Sequence, residues 1–443
     1  MSALTVNGLS SSLYALYLRL FGSAPPSTAE SFILRDCLAN RKLSEFITNS
    51  MDMDPETWRD NLFCDSEKTD SFEFEPVRRM MSEEEKNLCI EAATRCIRNG
   101  TTIYGPDIEQ LTLHLQEFMG CKHMILTSSG TAALTIALLT LDVKPNDEVI
   151  LPANSFAATE NAILAVGARP VLADVCKLSH NLDPESVENV ATSRTRAILP
   201  VDLYGGLAKM EDLKHIAQKH GASLIEDACQ AIGVEGVGTM AEFATLSFNT
   251  FKNFSACGKA GAIITDNPDL AEKAKMIAYH GFIPDQKMHK CLPMGVNALI
   301  DNLQAATLLA KLPYLSLLNF RRLFLAMRYN RAFQCLENQI LIKLPKPGAR
   351  HGWHLYTILL QTENARNGLI SLLESQGIPS KVVYPFLSHQ QDNSLCRTIF
   401  NHVHLPVTEH LQSQKLALPL FNGMTITEQD QVIKGVLKYF GFS

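Results

Sequence analysis

In HMILTSSGTAALTIALLTLDVKPNDEVILPA, residues 123–153, an apolar run enters Ser-Ser-Gly-Thr, an Ala- and Leu-rich helical stretch follows, and a second apolar run closes the unit. Each apolar run is short and rich in β-branched residues, which reads as a strand buried on both faces. The pattern continues outward. ARPVLADV (168–175), TRAILPVDL (195–203) and ASLIEDA (222–228) read as further strands, separated by FAATENAILAVG (156–167) and MEDLKHIAQKHG (210–221). In the last, Leu213, Ile216 and Ala217 fall at i, i+3 and i+4, as on one face of a helix. Alternating strands and helices predict an α/β fold with a mostly parallel sheet. Ligands of such sheets gather at the carboxyl ends of the strands.

The bulk numbers describe an ordinary soluble chain. It has 443 residues, 46% hydrophobic and 19% charged, with a formal net charge of −6. That mild acidity leaves no electrostatic footprint for nucleic acid or an anionic membrane. No apolar run approaches the roughly 20 residues of a membrane helix. The N-terminus lacks a basic leader region, and Arg19 interrupts its apolar stretch, so no export signal is read. Eleven cysteines without CxxC pairs or zinc-ligand spacing fit free thiols in a cytoplasmic protein, with no metal site.

Three units are expected. Residues 1–75 read as a mostly helical extension ending in an acidic, turn-like linker, 76–315 as the large α/β domain, and 316–443 as a smaller α+β domain.

Three features carry chemistry. In TSSGTAAL (127–134), free N–H groups and the positive end of a helix dipole would make an anion site; a plain N-cap is the other reading. In LIEDACQA (224–231), Asp227 ends an apolar strand, where a carboxylate is costly unless paired. It reads either as a helix cap or as the partner of a pyridinium nitrogen. In SFNTFKN (247–253), Lys252 sits among Phe248, Phe251 and Phe254. Desolvation would lower its pKa and suit it to Schiff-base chemistry, although a solvated turn lysine is the commoner fate. Their order, an anion turn, an Asp ending a later strand, then a lysine before a Gly-containing segment, is the order found in pyridoxal-phosphate enzymes of the aspartate-aminotransferase fold.

With YGPDIEQL, TSSGTAAL, PANSFAATENAI, LYGG, LIEDACQAIG, SFNTFKN, AYHGF, DNLQAA and VVYPFLSH, the chain resembles the DegT/StrS-type sugar aminotransferases over about residues 80–440. The resemblance implies fold type I, pyridoxal 5′-phosphate (PLP/PMP) as cofactor, and a homodimer with shared active sites. It makes Lys252 the catalytic lysine, pairs Asp227 with the pyridine nitrogen and brings Gln230 near the ring hydroxyl. Gly130, Thr131 and Ser247 would hold the phosphate, Phe156 would stack on the ring, and Asn297 would reach the neighbouring subunit's phosphate. Core packing is the other reading of Phe156. The variation CGKAG (257–261), with ANSFAATENA and LSLLNFRRLFLAMRY, resembles the branch that aminates 3-oxo-glucose 6-phosphate with glutamate as donor. A nucleotide-linked keto-sugar is the alternative acceptor, and a non-catalytic regulator of the same fold the alternative function. Asp202 stands where most members have His, placing an acid near the site; with Lys259 it bears on the choice of substrate.

Gly236–Ala241 fits GxGxxA without the strand–turn–helix context of a dinucleotide site. His351, His354, His402 and His404 read as core or surface histidines, and Arg321 and Arg322 as partners in structural ion pairs.

Overall fold

The computed structural model describes residues 72–283, 286, 288–345 and 351–442. The helical segments expected within 1–71 lie outside them.

Two helices, α1 (Glu83–Arg98) and α2 (Pro106–Met119), precede the sheet. Ser82 and Glu85 close a capping box on α1, each side chain satisfying a backbone N–H of the first turn. The βα succession follows as β1 (His123–Thr127), α3 (Gly130–Thr140), β2 (Glu148–Pro152), α4 (Ala157–Ala165), β3 (Arg169–Ala173), α5 (Pro184–Val190), β4 (Thr195–Ile198), α6 (Met210–His220) and β5 (Ser223–Asp227). Strands β6 (Phe243–Ser247) and β7 (Gly261–Thr265) and helix α7 (Pro268–Ala278) complete the unit.

The seven strands lie in the order β1-β7-β6-β5-β4-β2-β3. The pairs from β6 through β5, β4 and β2 to β3 are parallel, as the alternation predicts. Strand β7 runs antiparallel to both β1 and β6. Residues 248–260 join β6 to β7 without the crossover helix that a parallel neighbour needs, so β7 returns in the opposite sense. Helix α3 is apolar nearly all round and is buried accordingly: Ala133, Leu134, Ile136, Ala137 and Leu138 are shut from solvent.

Beyond α8 (Asn302–Lys311), the long helix α9 (Leu315–Asn338) leads to a three-stranded antiparallel sheet of order β10-β9-β8. Its strands are β8 (Ile342–Lys343), β9 (Tyr356–Leu360) and β10 (Lys415–Leu418), flanked by α10 (Glu363–Ser375), α11 (Ser394–Ile399), α12 (Pro406–Gln414) and α13 (Ile426–Tyr439). One apolar cluster joins α9, α10 and α13 to these strands.

Arg322, expected in an ion pair, is fully buried on α9 and binds differently. Its guanidinium donates to Asn422 Oδ1 (2.7 Å) and to the carbonyls of Trp353, His354 and Leu420 (3.1–3.2 Å). Arg321 donates to the carbonyl of Met424 at 3.0 Å. Among the described residues no helix is long and apolar enough to cross a membrane.

Candidate active site

The turn from β1 into α3 is both of the things its sequence allows. Ser129 caps the helix, its Oγ accepting from Ala132 N at 3.1 Å. The first-turn N–H groups of Gly130 and Thr131 have no carbonyl one turn back to bind. The turn is pressed against the ends of β6 and β7. A Cβ on Gly130 would stand 2.9 Å from both Ser247 Cβ and Cys229 Sγ, and one on Gly261 would stand 2.5–2.6 Å from the Ser129–Gly130 peptide. Gly130, with Thr131 beside it in the chain, therefore lies against Ser247 at the end of β6.

Asp227 ends β5 and is only 4% exposed. Its carboxylate accepts from Thr159 Oγ1 (2.8 Å) and from the N–H of Cys229 (3.2 Å), so its orientation is set from α4 and from its own chain. Gln230 lies just beyond. Its Oε1 accepts from Tyr204 N at 2.7 Å and its Nε2 donates to Tyr384 Oη at 3.3 Å. Tyr204 takes φ +61°, a conformation sparsely populated for a bulky side chain. The next residue must be glycine: φ at Gly205 is +101°, and a Cβ there would meet Trp353 N at 2.9 Å. This is the LYGG motif, and its tight backbone is what presents an N–H to Gln230.

Lys252 follows a turn closed by its own N–H on Asn249 O (2.8 Å) and is half-buried. Burial pushes its amine below the usual lysine range, opposed by Cys229, Asp227 and Glu75. The expected trio of phenylalanines is really a pair. Phe248 and Phe254 are buried edge-to-face at 5.9 Å, whereas Phe251 is 44% exposed.

Phe156 is 58% exposed at the N-terminus of α4, with its ring 5.9 Å from that of Tyr384, so core packing is excluded for it. Asn297 is exposed on a bridge to Tyr279, next to Ala298, whose carbonyl accepts from Ser128 N at 2.8 Å.

Asp202 does not face a substrate. It is fully buried, with Oδ1 accepting from Ala208 N at 2.9 Å and its carboxyl set against that of Glu226, which accepts from Gly238 N at 2.7 Å. Burial pushes both carboxyls up, and the charge of Glu226 adds to this at Asp202. The Asp202 and Glu226 carboxyls thus pin two loops, at Ala208 and at Gly238. Lys259 is exposed. Gly236–Ala241 lies in the connection between β5 and β6 and opens no helix.

Several residues of the site carried no signal in the chain. Thr159 and Tyr384 sit inside quoted motifs, but their partners are 68 and 154 residues away. His354 is buried, bonded to Asn253 Oδ1 at 3.3 Å. Burial holds its ring well below the ordinary histidine range, with Lys252 and Arg322 adding to the effect. No group of three or more His, Cys, Asp or Glu side chains converges as a metal site among the described residues.

A curated relative, the 3-oxo-glucose-6-phosphate:glutamate aminotransferase of Bacillus subtilis (strain 168), is 39% identical over 407 residues, covering 92% of each chain. The UDP-N-acetyl-3-dehydro-alpha-D-glucosamine 3-aminotransferase of Acidithiobacillus ferrooxidans is 35% identical, over 74% of this chain and 87% of its own. Among solved structures, NtdA from Bacillus subtilis with bound cofactor PMP superposes with a TM-score of 0.83 at 41% identity, covering 86% of this chain and 88% of that one. The family model described as DegT/DnrJ/EryC1/StrS aminotransferase matches residues 83–437, and the chain belongs to that family.

Proposed function

We propose that the chain is a pyridoxal-phosphate-dependent aminotransferase that converts a keto-sugar to an amino-sugar, with glutamate as donor and 3-oxo-glucose 6-phosphate as acceptor. The observation that carries this reading is the half-buried Lys252, its amine depressed by burial, in the electrostatic reach of an Asp227 fixed by two hydrogen bonds.

The residues present fit the cofactor. Gly130, Thr131 and Ser247 form a cradle that a Cβ would fill, and exposed Phe156 offers a ring face. When bound, pyridoxal phosphate supplies an electron sink and a carrier for the amino group. Asp227 would hold a proton on the pyridine nitrogen, and Thr159 would keep its carboxylate aimed there. Lowering its pKa enlarges the neutral fraction of Lys252 Nζ, the form that would serve as nucleophile and then as the base that moves a proton from the donor carbon. Gln230, held by Tyr204 and Tyr384, would orient the ring from its hydroxyl edge. Over the cycle glutamate and keto-sugar become 2-oxoglutarate and amino-sugar, so atoms and electrons balance without another reactant.

In this reading residues 76–315 form the cofactor domain and 316–443 the smaller one. Asn297 completes the site of a second copy in a homodimer, which sedimentation of the holoprotein tests. The second reading, a nucleotide-linked keto-sugar as acceptor, draws on the Acidithiobacillus relative, whose name specifies one.

The test is spectroscopic. Purified protein given pyridoxal phosphate should show an absorbance that changes on adding glutamate and returns on adding 3-oxo-glucose 6-phosphate. Lys252→Ala should lower turnover by at least about 10²–10⁴-fold, the contribution typical of a positioned general base. Unchanged turnover in that variant would refute catalysis at this site, and a wild type that shows neither the cofactor absorbance nor turnover would leave the non-catalytic reading.

A further inference from the structure

The segment Phe72–Met81 precedes the stretch that the family model matches, yet it borders the site. Phe74 is 5% exposed, buried with Leu203, Tyr204 and Ala417, while Val383 and Tyr384 pack against that group. Tyr204 and Tyr384 are the two residues that hold Gln230. Lys381 places its Nζ 4.8 Å from the centre of the Phe74 ring. At the other end Arg79 is anchored to Glu428 and to the carbonyl of Gly423.

Fixed on both sides, the segment holds Glu75 half-buried, within electrostatic reach of Lys381, Arg322 and Lys252. Burial pushes its carboxyl up and these three cations pull it back. Among the described residues the Glu75 carboxyl has no hydrogen-bond or ion-pair partner. A half-buried carboxyl so placed is an acceptor that no donor of the described residues fills, and it stays open to the donors of a ligand. A sugar ring presents neighbouring hydroxyls that can donate to one carboxyl together. The carboxylates of an amino-acid donor cannot donate, and they are repelled.

We infer that Glu75 accepts hydrogen bonds from the ring hydroxyls of the sugar acceptor and determines specificity in the acceptor half of the reaction. The inference rests on the aminotransferase reading above, and the two half-reactions separate them.

With holoprotein, the glutamate step and the acceptor step are followed one at a time by absorbance, using 3-oxo-glucose 6-phosphate and, in parallel, a nucleotide-linked 3-keto-sugar. Glu75→Gln should raise the acceptor KM so that the ratio of acceptor to donor efficiency falls roughly tenfold or more, the worth of a hydrogen bond to a charged group. Glu75→Asp should fall between. Calorimetric titration with glucose 6-phosphate, a readout independent of turnover, should weaken by a similar factor, at an unchanged melting temperature. An unchanged acceptor KM and sugar affinity, or an equal loss in both half-reactions, overturns the assignment. A wild type that reacts with glutamate but with neither sugar also overturns it, while leaving transamination standing. A wild type inert to glutamate overturns the function itself.

Discussion

His180 is 8% exposed, and burial, reinforced by the charge of Lys415, holds its ring at about 4. The native imidazole stays neutral below pH 6.5, where the unfolded chain takes up a proton. Stability therefore rises with pH between about 4 and 6.5 and is lost on acidification through that window. The loss should be about 1–3 kcal/mol for this residue. His351, held at about 4 by burial, acts in the same direction. Urea unfolding of the full chain at pH 7, 5.5 and 4.5 should show the decline, and His180→Gln should flatten it whatever that substitution does to stability at pH 7; an unaltered slope sinks the argument. These groups mark the limit of reading residues from the chain. Lys252 and Asp227 are legible because their order along the chain repeats a known chemistry. Glu75, Thr159 and the buried state of Asp202 are not, because each is defined by neighbours brought in from distant elements.

Elements were more legible than residues, since a strand buried on both faces and a helix with one apolar face each leave a period in the chain. The parallel run from β6 to β3 follows from that period. The sense of β7 does not: its alternation is the same in either direction, and only the helix-free connection through residues 248–260 decides it. That reversal has a consequence for the site, because it brings the first residue of β7 against the turn before α3. Gly261 pairs with Thr127 and Ser247, and there is no room beside it for a methyl group. Gly261→Ala should force the Ser129–Gly130 peptide away, costing about 1–3 kcal/mol. In the proposed reading the displaced peptide belongs to the anion cradle, so affinity for pyridoxal phosphate should fall with it. Cofactor titration by fluorescence and thermal melts of the same variant check both effects. A stability loss with unaltered cofactor affinity would detach the cradle from this turn.

At the scale of the whole molecule, the segment ahead of α1 joins parts that are far apart in the chain. Its acidic, turn-like composition up to Glu75 reads as a linker, and only the packing reveals Phe74, Arg79 and Met80 as buried. Composition cannot show this, because one phenylalanine and one arginine suffice when their partners wait on other elements. Arg79 makes a bidentate pair with Glu428 (2.5 and 2.6 Å) at the start of α13 and donates to Gly423 O at 2.7 Å. Glu428 also accepts from Thr425 N at 2.9 Å in a capping box, so the pair fixes a helix start as well as the segment. Although burial pushes the Glu428 carboxyl up, Arg79 and the Thr425 N–H bring it below its ordinary value, so the pair's contribution is present above pH 4.5 and fades as pH falls through the lowered value. Arg79→Ala leaves that carboxylate part-buried with its cation gone, which should cost about 3–5 kcal/mol. Arg79→Lys keeps the charge but not the two-pronged geometry and should cost less. Urea midpoints of the three proteins at pH 7 measure this. If the segment also places Glu75, Arg79→Ala should impair the acceptor half-reaction more than the glutamate half-reaction, even under conditions where the variant is fully folded. Equal effects on both would mean that the strap stabilises the fold without shaping the site.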